Sequence, residues 1–533
     1  MLSSLWNSSG ARKRRGLPVA LGGLIVAALG IALGCTEGGQ VASSDESLLV
    51  SAGGERLLGT RLPSGVRAFR GIPFAAPPVG ALRWKSPQPH RARKGVQDAE
   101  EFGAACPQDQ GNADWYRDVA AGLGADRRVI PPLTKVSEDC LYLNVWTPTT
   151  AGDTPRAVMV WIHGGSNVNG YAHEPNYRGG ALASARDLVV VSINYRLGPL
   201  GFMAHPALEQ EDPQRVSGYY GLADQVAALR WVQDNIAAFG GDPTQVTVFG
   251  ESAGGGNISA LMRMPSALGL FHRAIIQSGA LAPYDRIDYS EALKVGEQFF
   301  ESLRAPNVEA MRALPWEQMV QKRAAELKSY YFGPIADGVN LVADAEVAGI
   351  PLMVGANHDE WLMYLPEDVE SSWHDALQQH APRAQRKVAQ LLEQRYDSVE
   401  MRANRLISAA EFWCPAREVA NRMESLGVTP YVYLFTRVRP GGDALLAYHG
   451  AEIPYVFDTA DSWLPGDSVD DRLTMAMQSY WANFATRGDP NGPALARWPP
   501  YASDTQNILQ LGGDIELSSG EWTELCDLIE SSQ

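Results

Sequence analysis

The chain has 533 residues, 45% of them hydrophobic and 20% charged, with 14 Trp, 19 Tyr and 14 Phe. This is globular composition with ample apolar mass for a large core, which excludes a disordered or fibrous chain. Sixty-one acidic against 45 basic residues give a net charge of −16. No basic stripe follows the extreme N-terminus, which argues against nucleic acid as a partner.

The chain opens on a targeting pattern. Arg12-Lys13-Arg14-Arg15 is cationic, Leu17 to Leu33 is an uncharged, mostly apolar run, and Ala32-Leu33-Gly34-Cys35 closes it with small residues. A basic start followed by an apolar stretch is an export signal. The run of 17 residues is also near the lower limit of a membrane span, so an uncleaved anchor is the alternative. The Leu-Gly-Cys ending resembles a bacterial lipobox, although Ala32 stands where a larger aliphatic residue is more usual. That resemblance implies an exported, membrane-anchored lipoprotein with Cys35 lipidated, rather than a free periplasmic or secreted protein. Residues 1–35 are then the signal, 36–47 a small, polar tether, and 48–533 a single domain. Setting Cys35 aside leaves Cys106, Cys140, Cys414 and Cys526, an even set that allows three pairings in an oxidising compartment. Four buried free thiols are the plainer alternative.

Continuously apolar runs recur at 141–146, 157–162, 188–193, 246–249, 351–354 and 431–436. Such runs suit strands buried on both faces of a parallel sheet. Helical patterns lie between them, as in GLADQVAALRWVQDNIAAF (221–239) and at 257–264, while 365–425 reads as charged, mostly helical insertions. Strands alternating with helices predict an α/β architecture around a largely parallel sheet.

The stretch VFGESAGGG (248–256) follows the strand 245–249 and leads into a helix. Strand, G-x-S-x-G, helix is the setting of a nucleophile elbow, with Ser252 on a strained turn beside a helix N-terminus. A flexible glycine-rich loop is the bland reading of the same residues. A serine hydroxyl needs a base to take its proton and an acid to orient that base, in the chain order Ser, acid, His. Of the histidines after Ser252, His272 is too close to it, and His374 and His380 sit in the charged insertion, where solvation is expected. His449, in AYHGAEIPYVF after the strand 431–436, leads. The acid should lie between Ser252 and His449, and IPLMVGANHDE puts Asp359 and Glu360 at a strand end, where spacing leaves the two equal and a solvated turn is the plainer reading. The turn His163-Gly164-Gly165-Ser166, after another strand, can offer amides that converge with that of Ala253 on a developing oxyanion. A simple β-turn is its alternative.

Taken together, FRGIPFAAPPVGALRW (69–84), SEDCLYLNVWTP (137–148), VWIHGG (160–165), INYRLGPLGF (193–202), GLADQVAALRWVQDNIAAFGGDP (221–243), VTVFGESAGG (246–255) and YWANFATRGDPN (480–491) resemble the type-B carboxylesterases, the group that includes the cholinesterases. The likeness spans nearly all of the mature chain. It implies an α/β-hydrolase fold whose helical insertions form a gorge. It also implies Ser252 as nucleophile, His449 as base and, by the N-x-D-E segment, Glu360 rather than Asp359 as acid. The oxyanion amides become those of Gly165, Ser166 and Ala253, and Glu251 a second carboxylate near the histidine. Ion pairs Arg83–Glu138 and Arg196–Asp224 are implied, with disulfides Cys106–Cys140 and Cys414–Cys526. The pattern is broken at two places. Ser166-Asn167 replaces a small residue followed by an aromatic, and Trp361 stands where glycine is usual. Residues 107–136 diverge, so nothing supports a cholinesterase-like preference.

The expected activity is hydrolysis of small-molecule carboxylic esters through an acyl-enzyme, with no metal or cofactor. An inactive binding or adhesion protein on the same fold is the competing reading. It is weakened by the presence of every triad residue, whereas an amidase or thioesterase would use the same groups.

Overall fold

Unbroken runs of Val, Ile and aromatic side chains build an 11-stranded sheet whose central strands are buried on both faces. The computed structural model describes residues 46–149, 154–280, 287–328, 330–342, 346–519 and 522–532. Cys35, the expected export segment and the expected tether up to residue 45 lie outside them. In chain order the strands are β1 (Thr60–Arg61), β2 (Arg67–Pro73), β3 (Tyr142–Thr147), β4 (Arg156–Ile162), β5 (Val189–Ile193), β6 (Gly241–Glu251), β7 (Arg273–Gln277), β8 (Leu352–Asn357), β9 (Pro430–Phe435), β10 (Asn507–Leu511) and β11 (Ile515–Ser519). Their spatial order is β11-β10-β9-β8-β7-β6-β4-β5-β3-β2-β1. Neighbours from β10 across to β5 run parallel, and both margins turn antiparallel.

The side-chain period of two divides the core. Val158, Val160 and Ile162 of β4 enter one apolar cluster, and Met159 and Trp161 enter the other. Helix Tyr220–Asn235 continues as a short 3₁₀ turn to Phe239, and the helix expected at 257–264 is Ala253–Leu261, beginning directly after Ser252. The insertion holds helices Val369–His380, Gln385–Glu393 and Val399–Ser408, then a π-helical stretch Ala409–Trp413 and helix Cys414–Ser425. His374 is exposed, but the solvation expected of His380 is corrected. His380 is only 6% exposed and faces Glu411 of the π-helical stretch at 3.5 Å. Its own helix is charged, and burial comes from the segment folded over it.

The consequence for function lies in the carboxyl ends of the parallel strands. Residues following β4, β6, β8 and β9 emerge at one edge of the sheet, where open α/β sheets place their sites.

Candidate active site

Ser252 stands between β6 and helix Ala253–Leu261 with φ +56° and ψ −126°, a conformation that a residue with a Cβ adopts only under strain. Neighbouring backbone holds it there. Its N–H donates to the Gln277 carbonyl of β7 at 2.9 Å, and its own carbonyl accepts from Gly256 N–H at 3.0 Å. A Cβ at Gly254 would lie 2.0 Å from the Ile162 carbonyl oxygen, so the elbow packs against β4 only because that position is glycine.

The turn after β4 runs beside it. Gly165, Ser166 and Asn167 all have positive φ, at +94°, +56° and +56°. The turn is close to the serine, since a Cβ built on Gly164 would sit 3.0 Å from Ser252 Cβ. Among the described residues, the N–H groups of Gly165, Ser166 and Ala253 make no hydrogen bond to a protein acceptor. The Ser166 hydroxyl is buried, also without a partner.

The residues at 359 and 360, which spacing could not separate, go to different partners. Glu360 is fully buried and its Oε2 lies 2.6 Å from His449 Nδ1, while its Oε1 accepts from Asn357 N–H at 2.6 Å. Asp359 turns away. Its Oδ1 pairs with the buried Arg405 guanidinium at 2.9 Å and accepts from Asn404 Nδ2 at 2.9 Å. Asp359 N–H donates to the Ala447 carbonyl at 3.0 Å, which pins the loop that carries His449. One carboxylate thus meets the imidazole and its neighbour anchors the imidazole's loop.

Among the described residues His449 Nε2 makes no hydrogen bond, and it lies 3.2 Å from Glu251 Oε1. Burial pushes the imidazolium down, but the carboxylates Glu251 and Glu360 outweigh it and raise His449 above the ordinary histidine range. Burial pushes the Glu251 carboxyl upward, with the His449 charge pulling the other way. His163, at the start of the turn after β4, is buried and held down to about 4, hence neutral at ordinary pH.

Four groups at the site were not singled out from the sequence. Asn357 is the hub on the acid side, since its Nδ2 donates to the Tyr448 carbonyl at 2.8 Å and to Glu452 at 2.6 Å, besides the backbone bond to Glu360. Trp115 donates from Nε1 to Tyr364 Oη at 2.7 Å, and a Cβ at Gly450 would lie 3.4 Å from its ring. Phe412, on the π-helical stretch, packs 5.2 Å from the His449 ring. Glu174, buried and pushed up to about 7 by that burial, accepts from Tyr116 Oη at 2.7 Å. Asn357 lies inside the N-x-D-E motif and was there to be found. Trp115 falls in the divergent 107–136 stretch, which has no local pattern to mark it. Trp361, the second departure, is buried 5.2 Å from Tyr364 and 6.2 Å from Phe412, and so backs the aromatic wall beside His449.

Cross-links brace this region. Cys106–Cys140 closes the loop that carries Trp115, and Cys414–Cys526 joins helix Cys414–Ser425 to the C-terminal helix Thr523–Glu530. Arg83 Nε donates to Glu138 at 2.7 Å, and Arg196 grips the fully buried Asp224 with two 2.7 Å bonds. Among the described residues no cluster of His, Cys, Asp and Glu is arranged to hold a metal ion.

Residues 46–527 match the carboxylesterase family profile. The chain belongs to the type-B carboxylesterase family. It is 35% identical to the para-nitrobenzyl esterase of Bacillus subtilis over 86% of this chain and 94% of that protein. It is 35% identical to the fumonisin B1 esterase of Sphingopyxis macrogoltabida, over 86% and 85%. The cocaine esterase of Oryctolagus cuniculus is 36% identical, over 84% and 88%. A solved PNB esterase structure superposes with a TM-score of 0.77 at 32% identity, covering 91% of this chain and 99% of that one. This carboxylesterase has the α/β-hydrolase fold, and its family supports hydrolysis of small-molecule esters.

Proposed function

We propose that this carboxylesterase cleaves carboxylic esters through an acyl-enzyme on Ser252. The observation that carries the proposal is the 2.6 Å contact of Glu360 with His449 Nδ1, at the same sheet edge as the strained serine. Glu360 fixes the tautomer that protonates Nδ1 and leaves Nε2 as the base. Nε2 takes the Ser252 proton as Oγ bonds to the ester carbonyl carbon. The carbonyl oxygen becomes an oxyanion, met by the unpartnered N–H groups of Gly165, Ser166 and Ala253. Collapse breaks the carbon–alkoxide bond, and Nε2 returns its proton to the leaving alcohol. Water, losing a proton to Nε2, then attacks the acyl carbon. Ser252 leaves reprotonated and the carboxylic acid is released. No step calls on a cofactor or metal.

Labelling with a fluorophosphonate probe tests this. The wild-type chain is expected to be labelled and Ser252→Ala to lose both labelling and ester turnover, the latter by roughly 10⁴-fold or more, with the fold intact by circular dichroism. Labelling retained in Ser252→Ala would move the nucleophile elsewhere, and an unlabelled wild type would favour a binding protein. The N-terminal pattern supports export with lipidation at Cys35. Mass spectrometry of the mature N-terminus is expected to find the lipid there, and an unmodified terminus at another residue refutes the anchor.

A further inference from the structure

The amides proposed as the oxyanion hole sit on two separate pieces of chain. Gly165 and Ser166 belong to the turn after β4, and Ala253 begins the helix after β6. Donors from two pieces act on one oxygen only when their separation is kept within about half an ångström. The backbone of the turn does not secure this by itself. It passes through three successive residues at positive φ, and two of them, Ser166 and Asn167, are not glycine; the serine side chain disfavours the left-handed region, and asparagine tolerates it better than most.

A side-chain contact outside the turn holds it. Asn167 is fully buried and faces Asn257, also fully buried, on helix Ala253–Leu261. The two amides bond reciprocally. Asn257 Nδ2 donates to Asn167 Oδ1 at 2.9 Å, and Asn167 Nδ2 donates to Asn257 Oδ1 at 3.3 Å. Asn257 lies one helical turn beyond Ala253, on the same face of that helix. On the other side of the turn, the Asn167 carbonyl accepts from Gly198 N–H at 2.6 Å. Asn167 is also where this chain departs from the family pattern, which has an aromatic there. An aromatic fills such a space by volume, whereas a reciprocal amide pair fixes distance and direction.

We propose that Asn167 and Asn257 are a positioning pair that sets the spacing between the two halves of the oxyanion hole. The proposal rests on the assignment of Gly165, Ser166 and Ala253 as the oxyanion donors. Neither side chain touches the substrate. The pair acts on amides whose bonds strengthen as charge develops, so its loss falls on the transition state and spares ground-state binding.

The test uses the full-length chain with Asn257→Leu, Asn167→Gly and the double variant, assayed on p-nitrophenyl acetate. It also measures inhibition by a trifluoromethyl ketone, whose adduct with serine is a tetrahedral oxyanion. Each single variant is expected to lower kcat about ten-fold, with KM within about two-fold and ketone affinity falling by a similar factor. The double variant is expected to fall little further than the worse single, because both remove one interaction. Asn167→Gly is the discriminating case. Glycine relieves the positive φ, so a residue needed only for that turn conformation would leave kcat unchanged. Unchanged kcat in Asn167→Gly, losses that multiply in the double variant, or a loss carried by KM would each overturn the proposal. If Asn257→Leu fails to fold, Asn257→Ser is read against the same criteria. Loss of labelling in Ser252→Ala together with full kcat in the Asn variants would sink the positioning pair alone. Retained labelling there would sink the site assignment beneath it.

Discussion

On one side of the site, Ser252 and the 164–167 turn owe their geometry to backbone: positive φ angles, a glycine that lets the elbow touch β4, and amides left without acceptors. On the other side, Glu360 and His449 are 89 residues apart in sequence and meet through buried side chains, with Asn357, Asp359 and Arg405 holding the two loops together. The first side is encoded largely by backbone conformation close to each functional group, to which the Asn167–Asn257 pair adds a side-chain contact from 90 residues away. The second is encoded by contacts across β8 and β9, so its failures should divide between chemistry and stability in a way the first does not.

The largest break separates the neighbouring carboxylates. Glu360→Gln is expected to lower kcat by roughly 10³–10⁴-fold while leaving the melting temperature nearly unchanged, because the amide can still fill the space but no longer steadies the imidazolium. Asp359→Asn is expected to do the reverse. It leaves the buried Arg405 without its anion, costing about 3–5 kcal/mol in urea unfolding, while the molecules that remain folded keep kcat within a few-fold. If Asp359→Asn proved the more damaging to turnover, the roles of the two residues would be exchanged.

Removing a cross-link probes the scaffold common to both sides. Replacing Cys414 and Cys526 by Ser is expected to cost about 2–4 kcal/mol of stability with little change in KM. Replacing Cys106 and Cys140 should cost a similar amount and also raise KM, since that loop carries Trp115 beside the residue after His449. Equal KM values for the two double variants would show that Trp115 does not border the substrate.

Glu251 joins the two sides, and its test is a pH profile. His449, the proposed base, works only when neutral, so the acid limb of kcat/KM is expected to follow its titration. Glu251 and Glu360 raise that titration by favouring imidazolium. Glu251→Gln removes one of the two anions, the imidazolium loses support, and the acid limb is expected to move to lower pH. A limb that stays in place would mean that burial already keeps Glu251 uncharged.

The smallest effect concerns the alcohol leaving group. Ser166 places a Cβ and a buried, unpartnered hydroxyl beside the proposed oxyanion amides. Ser166→Gly keeps the amide, worth about 3 kcal/mol to the transition state, and removes the crowding. The rate on tert-butyl relative to ethyl esters of one acid is therefore expected to rise. A ratio that fell or held steady would remove Ser166 from the alcohol pocket.

Local signals carried much of the fold. Apolar runs at 141–146, 157–162 and 431–436 correspond to β3, β4 and β9 within about a residue, since strands buried on both faces need unbroken apolar sequence. The strand–G-x-S-x-G–helix pattern located the elbow because its constraint is a turn only a few residues long. The marginal strands β1, β10 and β11 lacked that signature, being short or open on one face.

What the sequence by itself determined, then, is whatever depends on near neighbours: the parallel α/β sheet, the strained serine, and a histidine presented after a late strand. Spacing left Asp359 and Glu360 equal, and a likeness to relatives was needed to choose between them. Tertiary structure separated them physically, by bringing Arg405 and Asn404 to one and His449 to the other. The same holds for His380, buried by a segment 31 residues further on, for Trp115, folded back from a stretch with no pattern, and for the Asn167–Asn257 pair. Each depends on which distant side chain fills the space opposite, and burial makes those partnerships energetically decisive only after the chain has closed around them.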